Sequence, residues 1–258
     1  MKQNSDKKVR IIVYTISGII LGVFLAYGIV YKFPSIFQET ITKIEKDVTV
    51  TDEGIADAVE KVYDSVVIIS TYKQDEIYSS GSGFVYKVDG DTSYIITNYH
   101  VIADGDNYKV SYTDGDILSA ECLGADQYAD IAVLKVKTKE NVSAVELGST
   151  EELRVGDTTF TVGAPLDDAY SWTVTRGIIS GKERLVEVAV NANDTNYVMN
   201  VLQTDAAVNS GNSGGPLSNS NGEVIGVISA KISSTGVEGI GFAIPIETAL
   251  ERAEQIIN

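Results

Sequence analysis

The chain has 258 residues, 44% of them hydrophobic, which is enough to bury a sizeable core in one or two domains with attachments. Its net charge of −16 excludes a nucleic-acid-binding surface, which needs clustered Lys and Arg. The single cysteine, Cys122, excludes an intrachain disulfide and reads as a small buried hydrophobe, and no Cys/His cluster or phosphate-binding glycine loop implies a metal or cofactor.

Residues 1–10 carry Lys2, Lys7, Lys8 and Arg10 against Asp6, and read as a cytoplasmic tail. From Ile11 to Tyr31 no residue is charged, and about 20 apolar residues span a bilayer core, so a transmembrane helix is expected over 11–31. A cleaved signal peptide ending near Ala26-Tyr27-Gly28 is the rival reading, but the apolar run continues through Val30, Tyr31 and Phe33. The chain beyond this run is then extracytoplasmic and single-pass, and it is more acidic than the whole. Residues 32–54 read as a linker. From Gly54, the spacing of Ile55, Ala58, Val59 and Val62 predicts a short amphipathic helix.

The period then changes to short β-branched and aromatic runs separated by Gly, Asp and Asn turns. The first group is Val66–Tyr72, Gly83–Val88, Tyr94–Thr97, Tyr108–Tyr112, Ile117–Gly124 and Ile131–Val136. The second is Thr158–Val162, Trp172–Ile179, Val198–Thr204, Pro216–Ser218, Val224–Ser229 and Ile240–Ala243. A helix from Glu247 ends the chain.

Three phrases carry chemistry. Ser213 has Gly211 two residues before it and Gly215 two after, so a sharp turn can present its hydroxyl, and the N–H groups of Gly211 and Ser213 can form an oxyanion hole. A serine nucleophile needs a base, and His100 is the only histidine, placed at the end of the apolar run Tyr94–Thr97. Asp130 opens the apolar run Ile131–Val136 and is the candidate orienting acid.

Together, Thr97-Asn98-Tyr99-His100-Val101, Asp130-Ile131-Ala132-Val133-Leu134-Lys135 and Gln203 to Leu217 resemble the HtrA (Deg-type) trypsin-like serine proteases. The resemblance runs from about Ile55 to Ile246, and the order His, Asp, Ser is that of the chymotrypsin-like double barrel. It implies an all-β fold of two six-stranded antiparallel barrels, with short flanking helices, over a protease domain at 55–258. Barrel one is expected at about 63–140 and barrel two at about 150–245. The triad would be His100, Asp130 and Ser213, with Ser229 steadying the aspartate. The same alignment makes Ala207, six residues before the nucleophile, the floor of the substrate pocket, with Val208, Ile228, Ala230 and Lys231 around it.

The implied activity is a serine endopeptidase acting on polypeptides, unfolded or in the cell envelope, through an acyl-enzyme. A homotrimer belongs to the same family expectation. A chaperone-like or binding module with a latent protease site is the alternative, and an esterase a third. The family's PDZ domain has no counterpart after Pro245, so the chain is either a member without one or a piece of a longer protein. The same alternative leaves open substrate selection and activation by a PDZ-bound peptide. The Tyr72–Gly81 connection is too short for the long regulatory loop of some members.

Overall fold

The computed structural model describes residues 14, 17–25, 27, 31–32, 52–164, 171–188, 197–232 and 239–258. The chain divides into two compact units, Met1–Val50 and Thr51–Asn258. Among the described residues no helix is long and apolar enough to cross a membrane. The expected tail 1–10, most of the linker 32–54 and parts of the 11–31 run lie outside those residues.

The second unit holds the twelve expected strands. They are β1 (Val66–Lys73), β2 (Glu76–Asp89), β3 (Thr92–Thr97), β4 (Asn107–Ser111), β5 (Ile117–Asp126) and β6 (Ile131–Lys137), then β7 (Thr158–Gly163), β8 (Thr173–Val188), β9 (Tyr197–Thr204), β10 (Pro216–Asn219), β11 (Val224–Ile228) and β12 (Gly241–Pro245). Among the described residues of this unit three helices accompany them: α1 (Asp52–Tyr63), α2 (Tyr99–Ile102) and α3 (Ile246–Ile257). Each group of six closes on itself, in the orders β1-β2-β3-β6-β5-β4 and β10-β11-β12-β9-β8-β7. Closure removes every free sheet edge. The β1–β2 hairpin turns on Gln74 and Asp75, both at positive φ (52° and 64°), so Lys73 pairs directly with Glu76 in a two-residue turn that suits strand twist.

The two-residue period of a strand sorts the first barrel's side chains between two cores. Val67, Ile69, Ile95, Ala132 and Leu134 fill its interior, with Val85, Val110 and Tyr112. Their neighbours Val66, Ile96, Ile131 and Val133 point the other way. There they join Phe160, Val162, Val201, Val227 and Ile244 of the second barrel, together with Val62 of α1 and Ala249 of α3. This shared cluster glues the barrels together, and each fully buried aliphatic side chain contributes about 1.5–3 kcal/mol. The second barrel encloses Ile179, Leu202, Leu217, Ile225, Ile228 and Ala243.

Two strands exceed their expected bounds by more than two residues. β2 starts seven residues before Gly83, through the polar Ser79-Ser80-Gly81-Ser82, which has no β-branched residue to announce it. β8 runs on past Ile179 to Val188, because the register shifts between Gly181 and Arg184 absorb a glycine-lysine stretch that reads as a turn. Cys122 is half-buried against the first barrel's core, and burial pushes its thiol up.

Helix α3 is fastened by Glu247, whose carboxylate accepts from Thr150 N (2.7 Å), Thr150 Oγ1 (2.9 Å) and Ser149 Oγ (3.1 Å). Burial alone would raise this group, but the Thr150 amide and the two hydroxyls outweigh it and hold it below the ordinary 4.5. A depressed carboxyl stabilises the fold above its unfolded value and loses that contribution as pH falls through the folded one. Glu247→Gln should therefore cost about 1 kcal/mol at pH 7, a modest figure because the group is exposed. In urea unfolding, the gap between wild type and variant should close as pH falls below the ordinary carboxyl range. A gap independent of pH would contradict this assignment.

Candidate active site

The site is assembled at the seam between the barrels. Strand β3 ends at Thr97, and the chain turns at once into the single helical turn α2, which carries His100; the sequence reading placed it at a strand end. Asp130 stands one residue before β6 at φ 54°, a left-handed conformation that aspartate tolerates better than most residues. It is 1% exposed, so its charge must be met by donors.

Three donors meet it. His100 Nδ1 lies 2.8 Å from Oδ2 and 3.0 Å from Oδ1, and the His100 amide donates to Oδ1 at 3.1 Å. Ser229 Oγ, from the second barrel, donates to Oδ2 at 2.9 Å. The backbone is held too, since Asn98 Nδ2 donates to the Asp130 carbonyl at 2.9 Å. A carboxylate can only accept, so Nδ1 carries the imidazole proton and Nε2 is left as the basic nitrogen.

Ser213 sits on the turn before β10 and is 4% exposed. Its Oγ accepts from the Ala230 amide at 3.1 Å, and Ala230 directly follows Ser229. Two hydrogen bonds from adjacent residues, Ala230 to Ser213 and Ser229 to Asp130, thus tie the serine turn to the carboxylate that holds His100. Among the described residues none joins Ser213 Oγ to His100 directly. The expected oxyanion donors are free to act: among the described residues neither the Gly211 nor the Ser213 amide donates a hydrogen bond. Gly211 adopts φ +100°, a conformation open to glycine. Gly214 is required for a different reason. A Cβ there would lie 2.2 Å from Ser82 O and 2.3 Å from Thr97 Oγ1.

Comparison with known proteins agrees with this geometry. Residues 81–227 match the trypsin-like peptidase domain family. The serine protease Do-like HtrA of Bacillus subtilis (strain 168) is 42% identical over 189 residues, 73% of this chain and 42% of that protein. HtrB of the same strain is 39% identical over 219 residues, 80% of this chain and 47% of that protein. The crystal structure of the serine endoprotease from Yersinia pestis superposes with a TM-score of 0.67 at 34% identity, covering 82% of this chain and 68% of that one. The chain belongs to the HtrA-type, trypsin-like serine peptidases. It spans less than half the length of either Bacillus relative.

The pocket residues expected of an HtrA-type peptidase differ in exposure. Ile228 is wholly buried among Ile179, Leu202 and Leu217 inside the second barrel, because it faces inward on β11. It directly precedes Ser229, whose hydroxyl donates to Asp130. Ala207 is exposed, and its carbonyl accepts from Thr175 Oγ1 (3.0 Å) and Asn212 Nδ2 (3.2 Å). Val208 is half-buried and leans on Gly241, where an added Cβ would fall 2.6 Å from Val208 Cγ2. Ala230 is half-buried and Lys231 exposed.

Several residues that sequence reasoning missed hold the site: Ser82, Thr97, Asn98 and Asn212. The only signal was Gly81-Ser82-Gly83, since glycine inside a strand marks close backbone approach. A Cβ at Gly81 would indeed meet Val101, next to His100, at 2.6 Å and Ser213 O at 3.0 Å.

Proposed function

We propose that this chain hydrolyses peptide bonds through His100, Asp130 and Ser213, by way of an acyl-enzyme. The observation that carries the reading is the buried Asp130 carboxylate, gripped from one barrel by the sole histidine and from the other by Ser229. Ser213 Oγ gives its proton to His100 Nε2 as it attacks the carbonyl, and Asp130 stabilises the imidazolium without taking the proton. The Gly211 and Ser213 amides receive the negative oxygen. His100 then returns the proton to the leaving amine, and water repeats the sequence on the ester. The Ala230 contact on Ser213 Oγ suits a resting rotamer that turns toward His100 when substrate arrives, since catalytic hydrogen bonds often tighten only in the complex. It also suits the second reading, a latent site ordered by a partner.

Specificity follows from Ala207. With no carboxylate at that position, a buried Lys or Arg side chain would lose its hydration and gain no counter-charge. The pocket favours Val, Ile, Ala or Leu before the scissile bond, graded at about tenfold per well-fitted methylene. Casein digestion tests both points. Wild type should cleave after apolar residues, while His100→Ala and Ser213→Ala should each lose a factor of about 10⁴ or more while staying folded. Near wild-type cleavage by folded Ser213→Ala would overturn the mechanism. A majority of Lys or Arg at the new C-termini would overturn the specificity. Casein left intact until a partner is added would favour the latent site.

The charge asymmetry around residues 11–31 supports a membrane anchor with residues 1–10 in the cytoplasm and the peptidase outside. The full chain should stay with membranes through an alkaline wash. Its recovery in the supernatant would contradict the anchor.

A further inference from the structure

We infer that Ser82 is a positioning residue for the oxyanion turn, an inference that rests on the reading of Ser213 as nucleophile. Ser82 belongs to the first barrel, on β2, and is fully buried. It touches the second barrel three ways. Its Oγ donates to the Gly211 carbonyl at 2.7 Å and accepts from the Ala164 amide at 3.2 Å, while its N–H donates to the Ser213 carbonyl at 2.8 Å. Its own carbonyl accepts from Thr97 Oγ1 at 2.7 Å, three residues before His100.

The Gly211–Asn212 peptide lies between the two amides that would hold the oxyanion. Its N–H end is fixed locally, since Asn212 N donates to Asn209 O at 3.0 Å. Its carbonyl end is fixed from across the seam, by the Ser82 hydroxyl. Gly211 has no Cβ to restrain rotation about its own bonds, and at φ +100° it occupies a region where glycine moves freely. A backbone anchor such as Ser82 N to Ser213 O survives any substitution at this position except proline. The bond to Gly211 O does not, because it depends on a side chain with a hydrogen to give.

An alanine here would leave the Ala164 amide without its acceptor and the Gly211 carbonyl without its donor. The peptide could then rotate and carry the amides out of alignment. Loss of one oxyanion donor lowers kcat by about 10²–10³, and a misalignment by a fraction of that. The effect belongs to the transition state, because only there does the oxygen carry full charge.

The test uses the full chain, a fluorogenic peptide with an apolar residue before the cut, and a peptide aldehyde whose hemiacetal presents the same oxyanion. Ser82→Ala should lower kcat by about 10–100-fold with KM within about twofold. The midpoint of its pH–rate profile should stay put, since His100 and Asp130 are untouched, and aldehyde affinity should fall with kcat. Ser82→Cys, of similar shape but a weak donor, should show most of the same loss and serves if the alanine variant does not fold. Unchanged kcat in a folded variant would overturn the role, as would a loss shared equally by KM or by the titratable fraction of sites. A wild-type chain inactive on the peptide would instead sink the peptidase reading itself.

Discussion

Everything in this molecule depends on keeping two closed barrels in register across one seam. In the proposed mechanism the base and its acid, His100 and Asp130, come from the first barrel and the nucleophile, Ser213, from the second, so neither half would contain a working set. The seam is fixed by backbone: Ser82 N to Ser213 O at 2.8 Å, and Gly214 against the Ser82 carbonyl with no room for a Cβ. The shared apolar cluster, with Phe84 and Ile96 on one side and Phe160 and Val162 on the other, supplies the adhesion. Apolar packing is strong but undirected; the buried hydrogen bonds convert it into a register.

The carboxylate at the seam shows how cost and function coincide. Burying Asp130 at 1% exposure is unfavourable unless every lone pair is used. Here the donors that compensate for its burial are the ones that orient His100, through Nδ1 and through the His100 amide. Ser229 adds the cross-barrel donor, so docking of the second barrel completes the solvation of the acid. Helix α3 reinforces the arrangement from outside: its Arg252 approaches Asp126 at 3.5 Å, at the start of the turn that leads to Asp130. Asp126 Oδ1 in turn accepts the Tyr128 and Ala129 amides of that turn.

Much of this was legible in the residues, and the failures are instructive. Strands with continuous apolar, β-branched runs, such as Val66–Ile69 and Ile131–Val136, announce themselves, and so does a serine flanked by glycines. The extension of β2 through Ser79–Ser82 was hidden because those residues have low strand propensity, and Gly81 and Ser82 serve contact with the other barrel instead. The β8 extension was hidden by a bulge at Gly181–Arg184 that imitates a turn. Around Ser82 the flanking glycines signal only a close backbone approach; its partner Gly211 lies 129 residues away, and no local pattern encodes the pair.

The central claim is that Ser213 is a nucleophile activated by His100 across the seam. The most direct measurement is covalent labelling of the full chain with a fluorophosphonate, followed by peptide mapping. The account predicts one label per chain, on the peptide bearing Ser213, and its loss in His100→Ala despite an intact serine. Labelling of another residue, or equal labelling with and without His100, would contradict it.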